Sequence, residues 1–393
     1  MKRDRRFVAW QPVLTDHQAF TLEALAQLSG RQVLVYVMRL EDAVRRAQGW
    51  ADTQVTTIER HLLPDRHTLR HCYQRLREHR HDIHLFGSPF EQPKMMLVLL
   101  MAALVRVDFY LISEPYSPRT EGYFDDEASV GQRLKASLRP LVYRCYGLLI
   151  GRRVRGVFTI SSLAADQYRR SGVAAAKLFP FGYFVPRIEP APDAGADRNA
   201  QASGLRLVFV GALIRRKGLD LLMAAVGRLV AEDQPIWLDV YGPGDPGAYA
   251  FDTQHIRHRG VIPFGQAPAV IAGYGLLAVP SRYDGWGVVV NEALSAHVPV
   301  LCSDQVGARA LVETFGAGAV FAADDADALY DALKALLRDP NRLARMREAT
   351  LDAARAIEPA VAASYLLAVI EAEPQARTAI ASPWYRDAGA GHA

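Results

Sequence analysis

At 393 residues, half of them hydrophobic and 22 % charged, the chain has the composition of a folded protein with room for two domains, not of a disordered or fibrous one. Cys72, Cys145 and Cys302 are too widely spaced for a disulfide scaffold or a metal or redox motif, which points to a reducing cytosol. Residues 1–190 carry 28 Lys and Arg against 19 Asp and Glu, the remainder 18 against 23, so the N-terminal half either faces something anionic or merely carries solvated charge.

Charged Met1 to Arg6 precedes a single short apolar run, Phe7 to Trp10, which reads as a first strand and not as a signal peptide. Leu14 to Phe20 reads as a loop into a helix over Thr21 to Leu28, closed by Gly30, and Gln32 to Met38 as the second strand. This is the opening βαβ of a doubly wound sheet. Asp16 caps the helix or, with His17 and Gln18, contacts a ligand. His61 to Arg80 is a helical stretch rich in Arg and His, and His84 to Ser88 ends a strand at a loop. The most apolar segment, Met95 to Ile112, is broken by Arg106 and Asp108 and fits a buried helix and a strand better than a bilayer span. That strand delivers Glu114-Pro115-Tyr116 to a carboxyl end, the edge where open α/β sheets bind ligands. From Arg133 to Arg155 basic residues interleave with Leu, Tyr and Ile, as in a helix at a lipid interface or a core helix with a basic outer face, and Pro140 and Gly147 are expected to interrupt it. Val157 to Ser162 makes another strand, Leu163 to Ser171 a helix, Phe179 to Tyr183 an exit, and Pro186 to Gly204 a linker.

In the second half, Leu205 to Gly211 is a buried strand ending in glycine, followed by A-L-I-R-R-K-G-L-D-L-L. Trp237 to Tyr241 is a strand, and Val261 to Gly265 a loop before a helix. Leu276 to Pro280 reads as a strand, Asp284-Gly285-Trp286-Gly287 as a glycine loop, Val288 to Ala296 as a helix and Val298 to Cys302 as the next strand. The first-turn amides of such a helix have no intrahelical partner and sit at the positive end of its dipole, so a diphosphate can rest on Gly287, Val288 and Val289. Asp284 and Glu292 flank that site. Carboxylates repel phosphate, so they are expected to accept hydrogen bonds from hydroxyls, and the combination points to a nucleotide sugar. Asp324 to Arg338 and Asn341 to Ile357 are amphipathic helices, Pro359 to Glu371 a third, and residues 373–393 a tail holding Trp384 and Tyr385.

The stretch V-P-S-R-Y-D-G-W-G-V-V-V-N-E-A-L-S-A-H-V-P-V-L-C-S-D resembles the E-x7-E signature of the retaining, group 1 glycosyltransferases. Asp284 stands for the usual first Glu, and His297, where Gly commonly ends the helix, reads as a C-terminal cap. The resemblance implies the α/β GT-B fold: two Rossmann-like doubly wound domains facing a cleft, an N-terminal acceptor domain over 1–190, a donor domain over 205–357, and a helix at 358–372 crossing back. It also implies that Asp284 contacts the donor sugar, Glu292 the ribose, and Gly285, Trp286, Gly287, Val288 and Val289 the diphosphate. Lys217, before Gly218, resembles the family lysine that reaches the diphosphate. The family's other basic residue is replaced by Ala212, so Arg215 or Arg216 supplies that charge beside Gly211. Ile262 to Gly265, including Phe264, matches the loop whose backbone meets the base, which leaves UDP, GDP and ADP sugars all open.

The family's acceptor-side histidine is missing after Phe109 to Ser113, so Glu114 takes the acceptor-activating or donor-contacting role. His17, Gln18, Tyr116 and Ser161 are the acceptor contacts expected beside it. Lys217, Asp284 and Glu114 are thus the expected catalytic set, with no metal, no cofactor and no nucleic-acid partner. The basic half and the Arg133 to Arg155 stretch favour a polyprenyl-diphosphate-linked acceptor and an anionic membrane surface at the inner face of the plasma membrane. A nucleotide-sugar epimerase of the same fold and a non-catalytic nucleotide-sugar-binding protein remain open alternatives, the latter favoured by Asp284 and Ala212.

Overall fold

A computed structural model describes residues 5–40, 53–87, 89–90, 92–116, 130–187, 204–252, 254–263 and 265–385. The chain divides into two compact units, one made of 1–116, 137–185 and 358–383, the other of 117–136, 186–357 and 384–393.

The first unit is built on a parallel seven-stranded sheet: β1 (Phe7–Gln11), β2 (Val33–Val37), β3 (Glu59–Leu62), β4 (Ile83–Gly87), β5 (Asp108–Ser113), β6 (Gly156–Ile160) and β7 (Leu178–Phe181), in the order β3-β2-β1-β4-β5-β6-β7. The order reverses between β1 and β4, whose registers pair Phe7 with Ile83 and Ala9 with Leu85. Right-handed crossovers place α2 (Thr68–Glu78), α3 (Pro93–Val105), residues 137–150 of α4 (Val130–Ile150) and α5 (Ser162–Arg170) on one face. Their apolar sides share one core with Trp10, Tyr36, Phe86 and Phe109. The other face carries α1 (Asp16–Ser29) and α12 (Pro359–Glu371), which pack on each other.

Several boundaries differ from those expected. Leu14 to Phe20 is not a loop: α1 begins at Asp16 because Thr15 and Gln18 form a reciprocal capping box. The first part of the His61 to Arg80 stretch is the edge strand β3, and Phe179 to Tyr183 includes the other edge strand, β7. Neither Pro140 nor Gly147 breaks α4, which runs unbroken for 21 residues. Gly147 is there for close approach, since a Cβ would lie 2.1 Å from the carbonyl oxygen of Ser171. Most of the expected linker, residues 188–203, lies outside the described residues.

A polar pair is embedded in the first core. The Nδ1 of fully buried His84 accepts a hydrogen bond from the Trp10 indole at 3.0 Å, and its Nε2–H donates to the His79 carbonyl at 2.9 Å. The ring is therefore neutral, and burial pushes its pKa down from 6.5 to about 4. A base depressed on folding contributes stability that is present above pH 6.5 and lost as pH falls towards 4. Urea titrations at pH 7 and pH 4 should show wild type losing about 2–3 kcal/mol more than a His84→Gln variant, which keeps an acceptor and a donor but does not titrate. Equal losses would show that His84 does not govern this limb.

The second unit has a six-stranded parallel sheet: β8 (Leu205–Val210), β9 (Ile236–Tyr241), β10 (Ile256–His258), β11 (Leu276–Val279), β12 (Val300–Ser303) and β13 (Gly318–Phe321), in the order β10-β9-β8-β11-β12-β13. Its helices are α6 (Leu219–Ala231), α7 (Ala267–Ile271), α8 (Val288–Ser295), α9 (Arg309–Phe315), α10 (Ala326–Arg338) and α11 (Pro340–Ala356). The reversal lies between β8 and β11, the position where a crevice opens beyond the carboxyl ends of the strands.

Candidate functional site

Two loops leave the sheet at that reversal. After β8, Arg215–Lys217 forms a 3-10 turn that ends at Gly218 and enters α6. Gly218 has φ +70°, and a Cβ there would lie 1.9 Å from the Pro280 carbonyl oxygen, so only glycine lets the two loops touch. After β11, Ser281 to Gly287 leads into α8, and the backbone is tied down by Asp284 N–H to Gln305 O at 2.9 Å, Gly307 N–H to Asp284 O at 3.0 Å and Ala308 N–H to Trp286 O at 2.8 Å.

The loops meet through their charges. Lys217 Nζ donates to Asp284 Oδ2 at 2.6 Å. Burial alone would raise the Asp284 carboxyl, but the charges of Lys217 and Arg216, with hydrogen bonds from Lys217 and the Trp286 amide, hold it below its ordinary value. Arg216 also donates to the Tyr283 carbonyl at 3.0 Å, whereas the Arg215 side chain is exposed. Of the two arginines left open by the sequence, Arg216 is the one that acts on Asp284.

Gly287 caps α8 with φ +87°, and the amides of Val288 and Val289 have no protein acceptor among the described residues. The Trp286 indole is turned inward, 2 % exposed, donating to Asn291 Oδ1 at 2.7 Å, so this residue can offer a ligand no side chain. Glu292 lies one turn further on, half-buried, and burial pushes its carboxyl up to about 7. His297 takes φ +57° just past α8 and donates its N–H to Leu294 O at 3.1 Å, the left-handed cap geometry. Gly211 and Ile262 stand at the ends of β8 and of the loop after β10; Phe264 lies outside the described residues.

In the first unit, Glu114 follows β5, and its carboxylate accepts a hydrogen bond from Tyr183 OH, while the Tyr183 ring lies 3.9 Å from the His17 ring. His17 Nε2 is 2.9 Å from Thr15 Oγ1, and Gln18 spends its Oε1 on the Thr15 amide at 3.2 Å. Tyr116 is held by Gln167 through both its N–H and its carbonyl. Ser161 is buried at 1 %, has φ +81°, and its Oγ finds no partner among the described residues, a strained and unsatisfied serine of the kind that collects at functional sites. Tyr183 carried no sequence signal; it is 69 residues from Glu114 and joins it only in the fold.

Among the described residues no group of three His, Cys, Asp or Glu side chains could hold a metal ion.

Residues 196–352 match the family model described as glycosyl transferases group 1. The matched stretch holds both loops at the β8/β11 reversal. The chain is similar to phosphatidyl-myo-inositol mannosyltransferase of Mycobacterium leprae, 27 % identical over 226 residues, covering 56 % of this chain and 59 % of the relative. It is also similar to a GDP-mannose-dependent alpha-(1-6)-phosphatidylinositol monomannoside mannosyltransferase of Mycolicibacterium smegmatis, 31 % identical over 195 residues, covering 44 % and 50 %. The chain thus spans about half the length of the curated relatives it matches. Among solved structures, HepE of Anabaena with UDP-glucose superposes with a TM-score of 0.66 at 13 % identity, covering 93 % of this chain and 99 % of that one. The apo lipopolysaccharide outer core galactosyltransferase WaaB gives 0.62 at 12 %, over 93 % and 99 %. The fold is α/β of the GT-B type, with two Rossmann-like parallel sheets.

Proposed function

We propose that this protein is a retaining, metal-independent glycosyltransferase that moves a sugar from a nucleoside-diphosphate sugar to a lipid-linked acceptor. The observation that carries this is the meeting of Lys217, Arg216 and Asp284 with the unpaired amides of Val288 and Val289 at the β8/β11 reversal. Ammonium, guanidinium and aligned N–H dipoles converge where a diphosphate leaving group would develop charge, and they would stabilise it electrostatically. Asp284 and Glu292 would accept from donor hydroxyls. Glu114, held by Tyr183, would orient or activate the acceptor hydroxyl, with His17, Tyr116 and Ser161 near the same sheet edge. UDP and GDP sugars are the first donors to try, because one similar solved structure holds UDP-glucose and a similar mannosyltransferase is named for GDP-mannose.

Exposed leucines support a lipid-linked acceptor. On α4, Leu134, Leu138, Leu141, Leu148 and Leu149 are 47–68 % exposed, and on the same face of the sheet α3 presents Leu104 at 81 %. From 130 to 155 the sequence has seven basic residues and no acid. Exposed apolar side chains interleaved in sequence with cations favour an anionic bilayer surface as the acceptor's source. No single described helix is long and apolar enough to cross a membrane. Wild type should co-sediment with vesicles containing a third phosphatidylglycerol but not with pure phosphatidylcholine, and a Leu148→Ser/Leu149→Ser variant should lose at least about threefold in partitioning. Equal recovery with both vesicle types would remove the membrane from the proposal.

The test of function is turnover with UDP and GDP sugars in the presence of a bacterial lipid extract, read as labelled sugar in the lipid phase. A Glu114→Ala variant is expected to keep the thermal shift given by the donor yet lose at least about 100-fold in transfer. Conversion of the donor to an epimer without acceptor would contradict transfer, and a donor-induced shift with no product from any fraction would favour a binding protein.

A further inference from the structure

Arg282 lies two residues before Asp284, near the start of the stretch that resembles the family signature, and nothing in the proposal above uses it. Its guanidinium is 7 % exposed and forks onto Asp220, with Nη1 to Oδ1 at 2.8 Å and Nη2 to Oδ2 at 2.7 Å. Nε donates to Asp324 at 2.5 Å, and Nη1 also donates to the Arg215 carbonyl at 2.7 Å. Its main-chain N–H donates to the Arg216 carbonyl at 2.8 Å. One residue therefore ties together the loops that follow β8, β11 and β13. Asp220 and Asp324 are themselves largely exposed, at 49 % and 60 %, so the fork is drawn inward to the loops and is not the rescue of two buried acids.

We propose that Arg282 is a positioning residue for diphosphate capture: it sets the turn bearing Arg216 and Lys217 against Asp284. This rests on the donor reading above. The Arg215 and Arg216 carbonyls, which would repel an anion, are both bonded to Arg282, while the Arg216 and Lys217 side chains that attract one reach the Tyr283 carbonyl and the Asp284 carboxylate. A planar fork can serve Asp220, Asp324 and a carbonyl together. A lysine, a point charge on a flexible stem, cannot. The acids in turn raise the Arg282 pKa, so its charge is permanent.

Calorimetric titration of UDP and GDP into the full chain, with melting midpoints recorded alongside, tests this. Arg282→Lys should weaken nucleotide binding tenfold or more, and Asp220→Asn threefold or more. In a Lys217→Gln background, Arg282→Lys should cost less than a further threefold, because the ammonium it positions is gone and only Arg216 remains to be displaced. A role in general stability would lower the midpoint without changing the affinity of the folded fraction, and any affinity loss would be the same in both backgrounds. That result, or wild-type affinity in Arg282→Lys, overturns the proposal. If Arg282→Lys does not fold, the same cycle run with Asp220→Asn carries the same two outcomes. Should the wild type bind neither nucleotide, it is the donor reading that fails, before the question of Arg282 arises.

Discussion

Replacing Lys217 with alanine is expected to weaken UDP and GDP binding by at least about 100-fold and to remove the thermal shift that a nucleotide sugar gives. Lys217 is 21 % exposed and its ammonium touches Asp284 at 2.6 Å, so it is already desolvated enough for its charge to count against a second anion. The substitution also leaves the Asp284 carboxylate with the more distant charge of Arg216 and the Trp286 amide. Breaking a partly buried pair by deleting one partner should cost the ligand-free protein about 1–2 kcal/mol, less than the full cost of a deeply buried pair. Calorimetry on the folded fraction separates the two effects. Nucleotide affinity within threefold of wild type would mean that Lys217 is not part of the diphosphate site.

Glu292→Gln should act in the opposite sense on stability. The carboxyl is raised from 4.5 to about 7 by burial. A raised acid contributes stability that is fully present below pH 4.5 and lost as pH climbs through 7, so at pH 8 the protein carries most of the cost of a buried ionised carboxylate. The glutamine variant should be more stable than wild type by about 2 kcal/mol at pH 8 and nearly equal to it at pH 4.5. The same variant should bind nucleoside diphosphates about tenfold or more weakly, because the amide is a poorer acceptor for a hydroxyl than the carboxylate. A residue whose charge destabilises the fold is kept for a ligand, the usual trade at a binding site. Chemical denaturation at the two pH values decides it: identical stability differences at pH 4.5 and pH 8 would show that folding does not raise the Glu292 carboxyl.

Much of the fold could be read from the sequence because the central strands are buried on both faces and appear as apolar runs bounded by turn residues. Phe7 to Gln11, Leu205 to Val210 and Leu276 to Val279 all have this form. The strands that were not foreseen are the four sheet edges. Glu59–Leu62 is polar and mostly exposed, Ile256–His258 is three residues long, Gly318–Phe321 begins with glycine, and Leu178–Phe181 contains Pro180, which an edge tolerates because one side of the ladder is empty. Edges lack the two-sided burial that writes a strand into composition. The early start of α1 was legible in Thr15 and Gln18, whose spacing is that of a capping box.

The site divides the same way. Asp284, the amides after Gly287 and Glu292 lie within nine residues, so one helix start brings them together and local spacing exposes them. Lys217 needed the family resemblance, because 67 residues separate it from Asp284. Arg282 and Tyr183 act through partners 62 and 69 residues away, and no spacing rule predicts a bond over that distance; only the parallel order of the strands brings Asp220 to Arg282 and Glu114 to Tyr183.

The central claim is that the loops after β8 and β11 grip a pyrophosphate. It is tested most directly by titrating wild-type protein with UDP and UMP, and with GDP and GMP, under one buffer and salt condition. The account predicts that one of the two diphosphates binds at least about tenfold tighter than its monophosphate, since Lys217 and the α8 amides would act on the second phosphate. Equal affinity for mono- and diphosphate, or binding of neither pair, would contradict it.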